Sequence, residues 1–214
     1  MRVFGSIYAP AVFMMAGWIG MSLVSHRFLW SSEFASRPIL LLVALLCAQW
    51  LLFLWAVVNL KRTPPDERPT PVLILGLGLC FHFLLAGAHP IQEADAYRYL
   101  WDGATLSQGV SPYQFCPNDI LNADPSSHQS SDMQTELALV TTPGGAETLK
   151  RVSYPEIPTI YPPAAQLVFF AGFKLTGWSW LGLRIIFIAA YFGGAALIVA
   201  ALKHVHSGKL SAAT

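Results

Sequence analysis

The chain has 214 residues, of which 54% are hydrophobic and only 12% charged, with a net charge of +1. Soluble domains carry roughly 25% charged residues, so the composition excludes an ordinary soluble domain and indicates a membrane protein. The near-zero net charge provides no electrostatic footprint for nucleic acid, and the three cysteines (Cys47, Cys80 and Cys116) follow no zinc or redox spacing.

Taken in chain order, five stretches meet or approach the roughly 20 apolar residues that a bilayer-spanning helix needs. They are residues 6–24, 38–60, 72–88, 163–177 and 181–202. The first follows Arg2 and resembles a leader, but its apolar run is long and SLVSHRF offers no small-x-small cleavage site, so a retained helix is expected. The third and fourth sit at the lower length limit, where tilting or burial against protein is required. The expected fold is an all-α membrane protein of about five transmembrane helices. Three helices occupy residues 1–88, a long extracytoplasmic loop covers 89–161, and two helices with a short tail complete 162–214.

Charge sets the orientation. The short loop KRTPPDERPTP holds Lys61, Arg62 and Arg68, so the positive-inside rule places it and the N-terminus in the cytoplasm. Lys174 and Arg184 then also fall inside, which agrees, whereas Lys203 and Lys209 fall outside, which does not. The long loop is acid-rich and holds only Arg98, Lys150 and Arg151 as bases, as an outer loop should. The expected location is therefore the inner or plasma membrane, multi-pass, with the long loop outside. Structureless loops of this length are uncommon, and long ones are usually functional.

The two ends of the loop are its patterned parts. In QEADAYRYLWDGATLSQG, residues Asp95, Arg98, Tyr99 and Asp102 recur at i, i+3, i+4 and i+7, which is one polar helix face. Tyr97, Leu100, Trp101 and Ala104 fall on the other side, and Gly109 is a stop signal. A short amphipathic helix over 92–107 follows, with aromatic residues suited to the membrane interface. The spacing alone is equally met by a solvated helix face in which Arg98 pairs with Asp95 or Asp102. Glu93 and Asp95 are spaced E-x-D, and they could share a divalent metal only where the helix has not begun; no metal or other cofactor is required. At the far end, YPEIPTIYPPAAQ carries Pro155, Pro158, Pro162 and Pro163, which force an extended approach to the next helix. That fixes Tyr161 at the mouth of the bilayer and puts Gln166 one turn into the helix. Between the ends, NADPSSHQSSDMQ has no apolar face, so residues 124–135 are expected to be mobile. His82, inside the third span, is expected to be packed or bonded to its own helix.

DAYRYLWDG, then GVSPY, then IYPPAAQ heading a helix, together resemble the C-type superfamily of membrane glycosyltransferases, in particular the polyprenyl-phosphate-mannose-dependent mannosyltransferases. The resemblance covers about residues 70–200. It implies transfer of a sugar, mannose foremost, from a polyprenyl-phosphate donor to an extracytoplasmic glycan or lipid acceptor with inversion. It also implies catalytic roles for Asp95, as base, and for Glu93 beside it. Arg98, Tyr99, Asp102, Tyr161 and Gln166 become substrate-binding candidates, with Arg98, Lys150 and Arg151 as cations for the leaving phosphate. Such enzymes carry further transmembrane helices after this region, which complete the donor-lipid groove. Three forms are thus open: the N-terminal part of an enzyme whose C-terminal half is encoded separately, a truncated inactive copy, or a divergent member. A non-catalytic membrane assembly subunit, with the loop as docking surface, is the alternative. A transporter fragment is a third reading, disfavoured by spans with almost no central charge.

The topology is open to direct test. In a variant lacking the native cysteines, a cysteine at Ser126 should react with an impermeant thiol reagent added from outside, and one at Thr70 should not. The reverse pattern would sink the assigned orientation.

Overall fold

A computed structural model describes residues 2–91, 95–124 and 129–211. Among the described residues the chain is helical throughout, with no strand. The helices are α1 (Arg2–Val24), α2 (Ile39–Arg62), α3 (Pro71–Leu84), α4 (Ala96–Ser107), α5 (Pro117–Leu121), α6 (Ser131–Val140), α7 (Gly145–Leu149), α8 (Pro163–Thr176) and α9 (Trp180–Ser211). They fall into two compact units: one runs to Ile91 and resumes at Ala190, and the other is Gln92–Ala189.

Three segments are long and apolar enough to cross a bilayer: Tyr8–Phe28, Ile39–Arg62 and Trp180–Val205. Their large apolar side chains face outward, as Leu40, Trp50, Leu51, Leu197 and Ile198 do. That arrangement is stable only where the surrounding medium is itself apolar. The expected third and fourth spans are shorter than the sequence suggested. The helices α3 and α8 have 14 residues each; at 1.5 Å per residue such a helix rises about 21 Å, short of the roughly 30 Å hydrocarbon core.

In the first unit α1 packs on α2. Gln49, at the middle of α2, is buried and donates from Nε2 to the Met14 carbonyl at 3.1 Å. Its amide lies over Gly17, where a Cβ would come within 1.8 Å of Gln49 Nε2. An amide within a span is costly unless bonded, and here it ties two helices together. Met21, Phe28 and Leu42 form the buried cluster beside it. Thr70 caps α3 by accepting from the Leu73 amide, and Pro71 takes the first helical position. His82 bonds its own helix, with Nδ1 2.8 Å from the Gly78 carbonyl, and its ring lies against Tyr191 and Phe192.

The second unit is built on α4 and α8. Gly103 lets them meet at backbone distance: a Cβ there would lie 2.4 Å from the Phe169 carbonyl oxygen. Ala104, next to it, is completely buried. Around this crossing lie two apolar clusters, one of Trp101, Ala104, Ile120, Leu139, Leu149 and Val152, the other of Leu100, Phe169 and Leu183. Trp101 stacks on Trp178, which itself covers Gly144.

Two expectations about this region need correction. The polar face of α4 is not a stripe turned wholly to water: residues 100–105 are all buried, as is Arg98. The helix is the centre of a small helical domain because Gly103 and Ala104 leave room for a second helix on its flank. The stretch expected to be mobile is also partly ordered. From Ser131 it forms α6, capped by Ser130, whose side chain accepts from the Met133 amide. Beyond the Ser/Gln patch, Leu137 and Val140 join Met133 in packing against the larger cluster, which repays the ordering.

Gly103→Ala should therefore destabilise the chain by about 1–3 kcal/mol, the usual cost of overpacking. Gly76→Ala, where nothing lies within 4 Å of the new methyl group, is the control. Thermal unfolding in detergent micelles should show a lowered midpoint for the first and none for the second.

Candidate functional site

Residues 153–157 form a turn and 158–162 lead from it to α8 as a proline-rich strap, and the polar face of α4 holds this segment at three levels. At the first level Asp95 immediately precedes α4, and its backbone carbonyl accepts from the Tyr99 amide. Its carboxylate accepts from the Tyr161 hydroxyl at 2.6 Å. The Tyr99 hydroxyl lies 3.4 Å from that of Tyr161; since Tyr161 has one proton and gives it to Asp95, Tyr99 is the donor in that contact. The Tyr99 ring stacks on Phe169 with centroids 4.5 Å apart, and Tyr161 meets both rings edge-on. Burial, followed by donation to Asp95, pushes the Tyr161 hydroxyl well above its ordinary range. Tyr161 thus remains a neutral donor. Its own carbonyl accepts from the Tyr113 hydroxyl.

At the second level Arg98 is 5% exposed, and its Nη2 donates to the carbonyls of Ser153, Tyr154 and Ile157 at 3.2, 2.9 and 3.2 Å. This is a cation closing a turn. The turn contains Tyr154 at φ 51°, a left-handed conformation uncommon outside glycine, and three bonds to one guanidinium offset its cost. Arg98 is paired with neither Asp95 nor Asp102 as an ion pair; Arg151 with Glu147 is the ion pair seen among the described residues.

At the third level Asp102 is 1% exposed and accepts from Gln166 Nε2 at 2.9 Å, while the same amide donates to Thr159 Oγ1 at 2.9 Å. Both amide hydrogens are used, so Gln166 is locked between helix and strap. Burial raises the Asp102 carboxyl to about 6, against the opposing effects of Gln166, Thr159 and Arg98.

The six sequence candidates among the described residues thus form one connected arrangement. Asp95, Tyr99 and Tyr161 make a partly open cluster. Arg98, Asp102 and Gln166 lie beneath it as buried supports. Glu93, the other acid of the E-x-D pair, lies outside the described residues. Among those residues no three His, Cys, Asp or Glu side chains gather as a metal site would require. Lys150 is exposed, and Arg151 donates to the Tyr97 hydroxyl and lies over its ring.

Sequence reasoning missed Thr159 and Glu136. Thr159, 6% exposed, carries the strap's contact with Gln166. Glu136 is 1% exposed, and neither its Oε1 nor Oγ1 of the buried Thr105 has a hydrogen-bond partner among the described residues. Burial first, then the nearby charges of Asp102, Asp119 and Asp132, raise Glu136 to about 8. A signal was present: Met133, Glu136, Leu137 and Val140 recur at i, i+3, i+4 and i+7, which puts an acid on an apolar helix face.

Both buried acids take up protons more readily folded than unfolded, so their contribution to stability is full at low pH. It is lost as pH rises through about 6 for Asp102 and about 8 for Glu136. The thermal midpoint in micelles should fall steadily between about pH 5 and pH 8. Glu136→Gln should remove the upper part of that decline and equal or exceed the parent at the alkaline end. A midpoint that rises over this window would show that these acids are not buried as described.

Searches of protein-family models, curated proteins and solved structures found no match for this chain, so the site must be read from its own geometry.

Proposed function

We propose that the chain is a membrane glycosyltransferase, or the N-terminal part of one, that transfers a sugar from a polyprenyl-phosphate donor to an extracytoplasmic glycan or lipid acceptor. One observation carries the reading: a partly exposed carboxylate, Asp95, stands beside an aromatic shelf of Tyr99, Tyr161 and Phe169. A carboxylate beside ring faces suits a sugar, whose hydroxyls need an acceptor and whose C–H faces need an apolar surface. The likeness of the loop ends to C-type glycosyltransferases points the same way. In this reading α3 and α8 add two shorter membrane-embedded segments to the three long spans, with the loop of residues 89–161 on the outer face.

Asp95 takes the proton of the acceptor hydroxyl as its oxygen bonds to the anomeric carbon. The bond from that carbon to the phosphate oxygen breaks from the opposite side, its electron pair leaving with the phosphate, and the configuration inverts. Tyr161, by donating to Asp95, fixes which carboxylate oxygen is presented. Arg98 serves the reaction through the strap it closes. Lys150 and Arg151 are the other cations of the loop and can balance the leaving phosphate.

The non-catalytic reading has its own supporting observation: Arg98, Asp102 and Gln166 are buried and held by internal bonds, as in a purely structural domain. Substitution separates the two. In membranes supplied with labelled polyprenyl-phosphate mannose and any separately encoded C-terminal half, Asp95→Asn should lower turnover by about 10²- to 10⁴-fold, the usual worth of a general base, at normal protein level. Asp102→Asn should lower the thermal midpoint and the amount of folded protein more than turnover per folded molecule. Full activity in Asp95→Asn would remove the mechanism.

A further inference from the structure

The segment that runs from the turn through the strap into α8 has two sides of opposite character. Its inner side is polar: Thr159 is buried against Gln166, and Tyr161 reaches Asp95. Its outer side is apolar. Ile160, between those two residues, is 76% exposed, as the alternation of extended chain requires. Ile157 and Pro158 are also exposed, and Leu167, at 64%, and Leu175 continue the exposure along α8. Residues 157–173 carry no charged side chain, and Glu156 and Lys174 bound the run. In water a helix keeps its apolar residues on the face it buries. Here α8 is apolar on both faces, with Phe169 buried on one and Leu167 exposed on the other.

The backbone of this segment is suited to a medium poor in water. Pro158, Pro162 and Pro163 have no amide hydrogen. The Ile157 carbonyl accepts from Arg98, that of Tyr161 from the Tyr113 hydroxyl, and that of Pro162 from the Ala165 amide. The Tyr161 amide donates to Thr159 Oγ1. Each bond pairs a group that would be costly to leave unpaired beside lipid. The rest of the chain says which medium this is. The long span Trp180–Val205 begins just after α8 ends at Thr176, which ties the segment to a bilayer. Tyr113 and Tyr154, both exposed, add the amphipathic rings common at a membrane boundary.

We propose that the turn, the strap and the outer face of α8 form a lipid-contacting surface, with Ile157 and Ile160 seated in the headgroup boundary of the chain's own membrane. The boundary suits the strap better than the hydrocarbon core, because irregular backbone facing lipid is not tolerated deeper and its remaining amides still meet water there. Ile160 and Tyr161 are consecutive and point to opposite sides, so the Asp95 carboxylate lies one strap residue from lipid. A molecule can therefore reach Asp95 while its apolar tail stays in the bilayer. The lipid contact rests on the chain's membrane spans and not on the transferase reading.

The test places an environment-sensitive fluorophore on single cysteines of the full chain, with the native cysteines replaced, in phosphatidylcholine vesicles. Labels at Ile160→Cys and Leu167→Cys should emit at shorter wavelength, lose intensity to brominated lipid and resist iodide present on both sides of the vesicle. Both side chains are exposed, so neither substitution disturbs the core. A label at Gln134→Cys, on the exposed side of α6, should show the reverse pattern. Lipid quenching at Leu167 with iodide quenching at Ile160 would overturn the seat of the strap and leave α8 embedded. Iodide quenching at both would remove the whole surface. Protection of Ile160 from both quenchers would show that protein covers it, a second copy or another subunit, and would also overturn the proposal. These labels read depth and not turnover, so the outcome with Asp95→Asn bears on the transferase reading alone.

Discussion

Everything in the second unit follows from how closely α4 approaches α8. At Gly103 the two backbones touch, with room for a hydrogen but not for a methyl group before the Phe169 carbonyl. Side chains on either flank of that contact are thereby brought within hydrogen-bond range. Asp102, adjacent in sequence, reaches Gln166 on α8, and Leu100 packs against Phe169. A larger residue at 103 would part the helices by an ångström or more, and a 2.9 Å bond has no such slack. The motif WDG is thus one physical device: Trp101 stacks, Asp102 bonds and Gly103 permits both.

The strap that reaches α8 is the second consequence. Proline-rich chain has few amide hydrogens to offer a partner, so it cannot be held as a strand would be. It is held instead through its carbonyls, by Arg98, and through the side chains of Thr159 and Tyr161. Thr159 and Tyr161, two residues apart, share one face of an extended segment, and they reach the first turn of α8 and the residue that precedes α4. Tyr161 therefore arrives at Asp95 with its ring direction set by Pro162 and Phe169 and its backbone set by Tyr113.

Burying acids in such a small domain has an electrostatic cost, visible in the carboxyls of Asp102 and Glu136. Both are driven toward the protonated form by loss of water, Glu136 the more so because Asp102 lies nearby. Protonation is the less costly outcome where the loss of water outweighs what neighbouring donors and cations return. Asp95 differs in place as well as in surroundings. It precedes the helix, it is only partly covered, and it accepts a hydrogen bond from a neutral phenol. The same residue type thus occupies two kinds of environment within two helical turns.

Much of this chain was legible without coordinates. Apolar runs of sufficient length identified the three long spans, because the bilayer sets a length that sequence can count. Prolines announced the strap, and the i, i+3, i+4, i+7 recurrence of Asp95, Arg98, Tyr99 and Asp102 showed that those residues share a face, since helical geometry is local. What that face meets is not local. Its exposure was misjudged because a polar stripe looks the same whether it faces water or a buried amide 64 residues later. Glu136 was overlooked for the same reason: its helix begins in a Ser/Gln tract, and only the Trp101 cluster gives that helix something to bury against. Period and length belong to the sequence, but the identity of the partner across a helix crossing is decided by packing, and here one glycine at position 103 settles it.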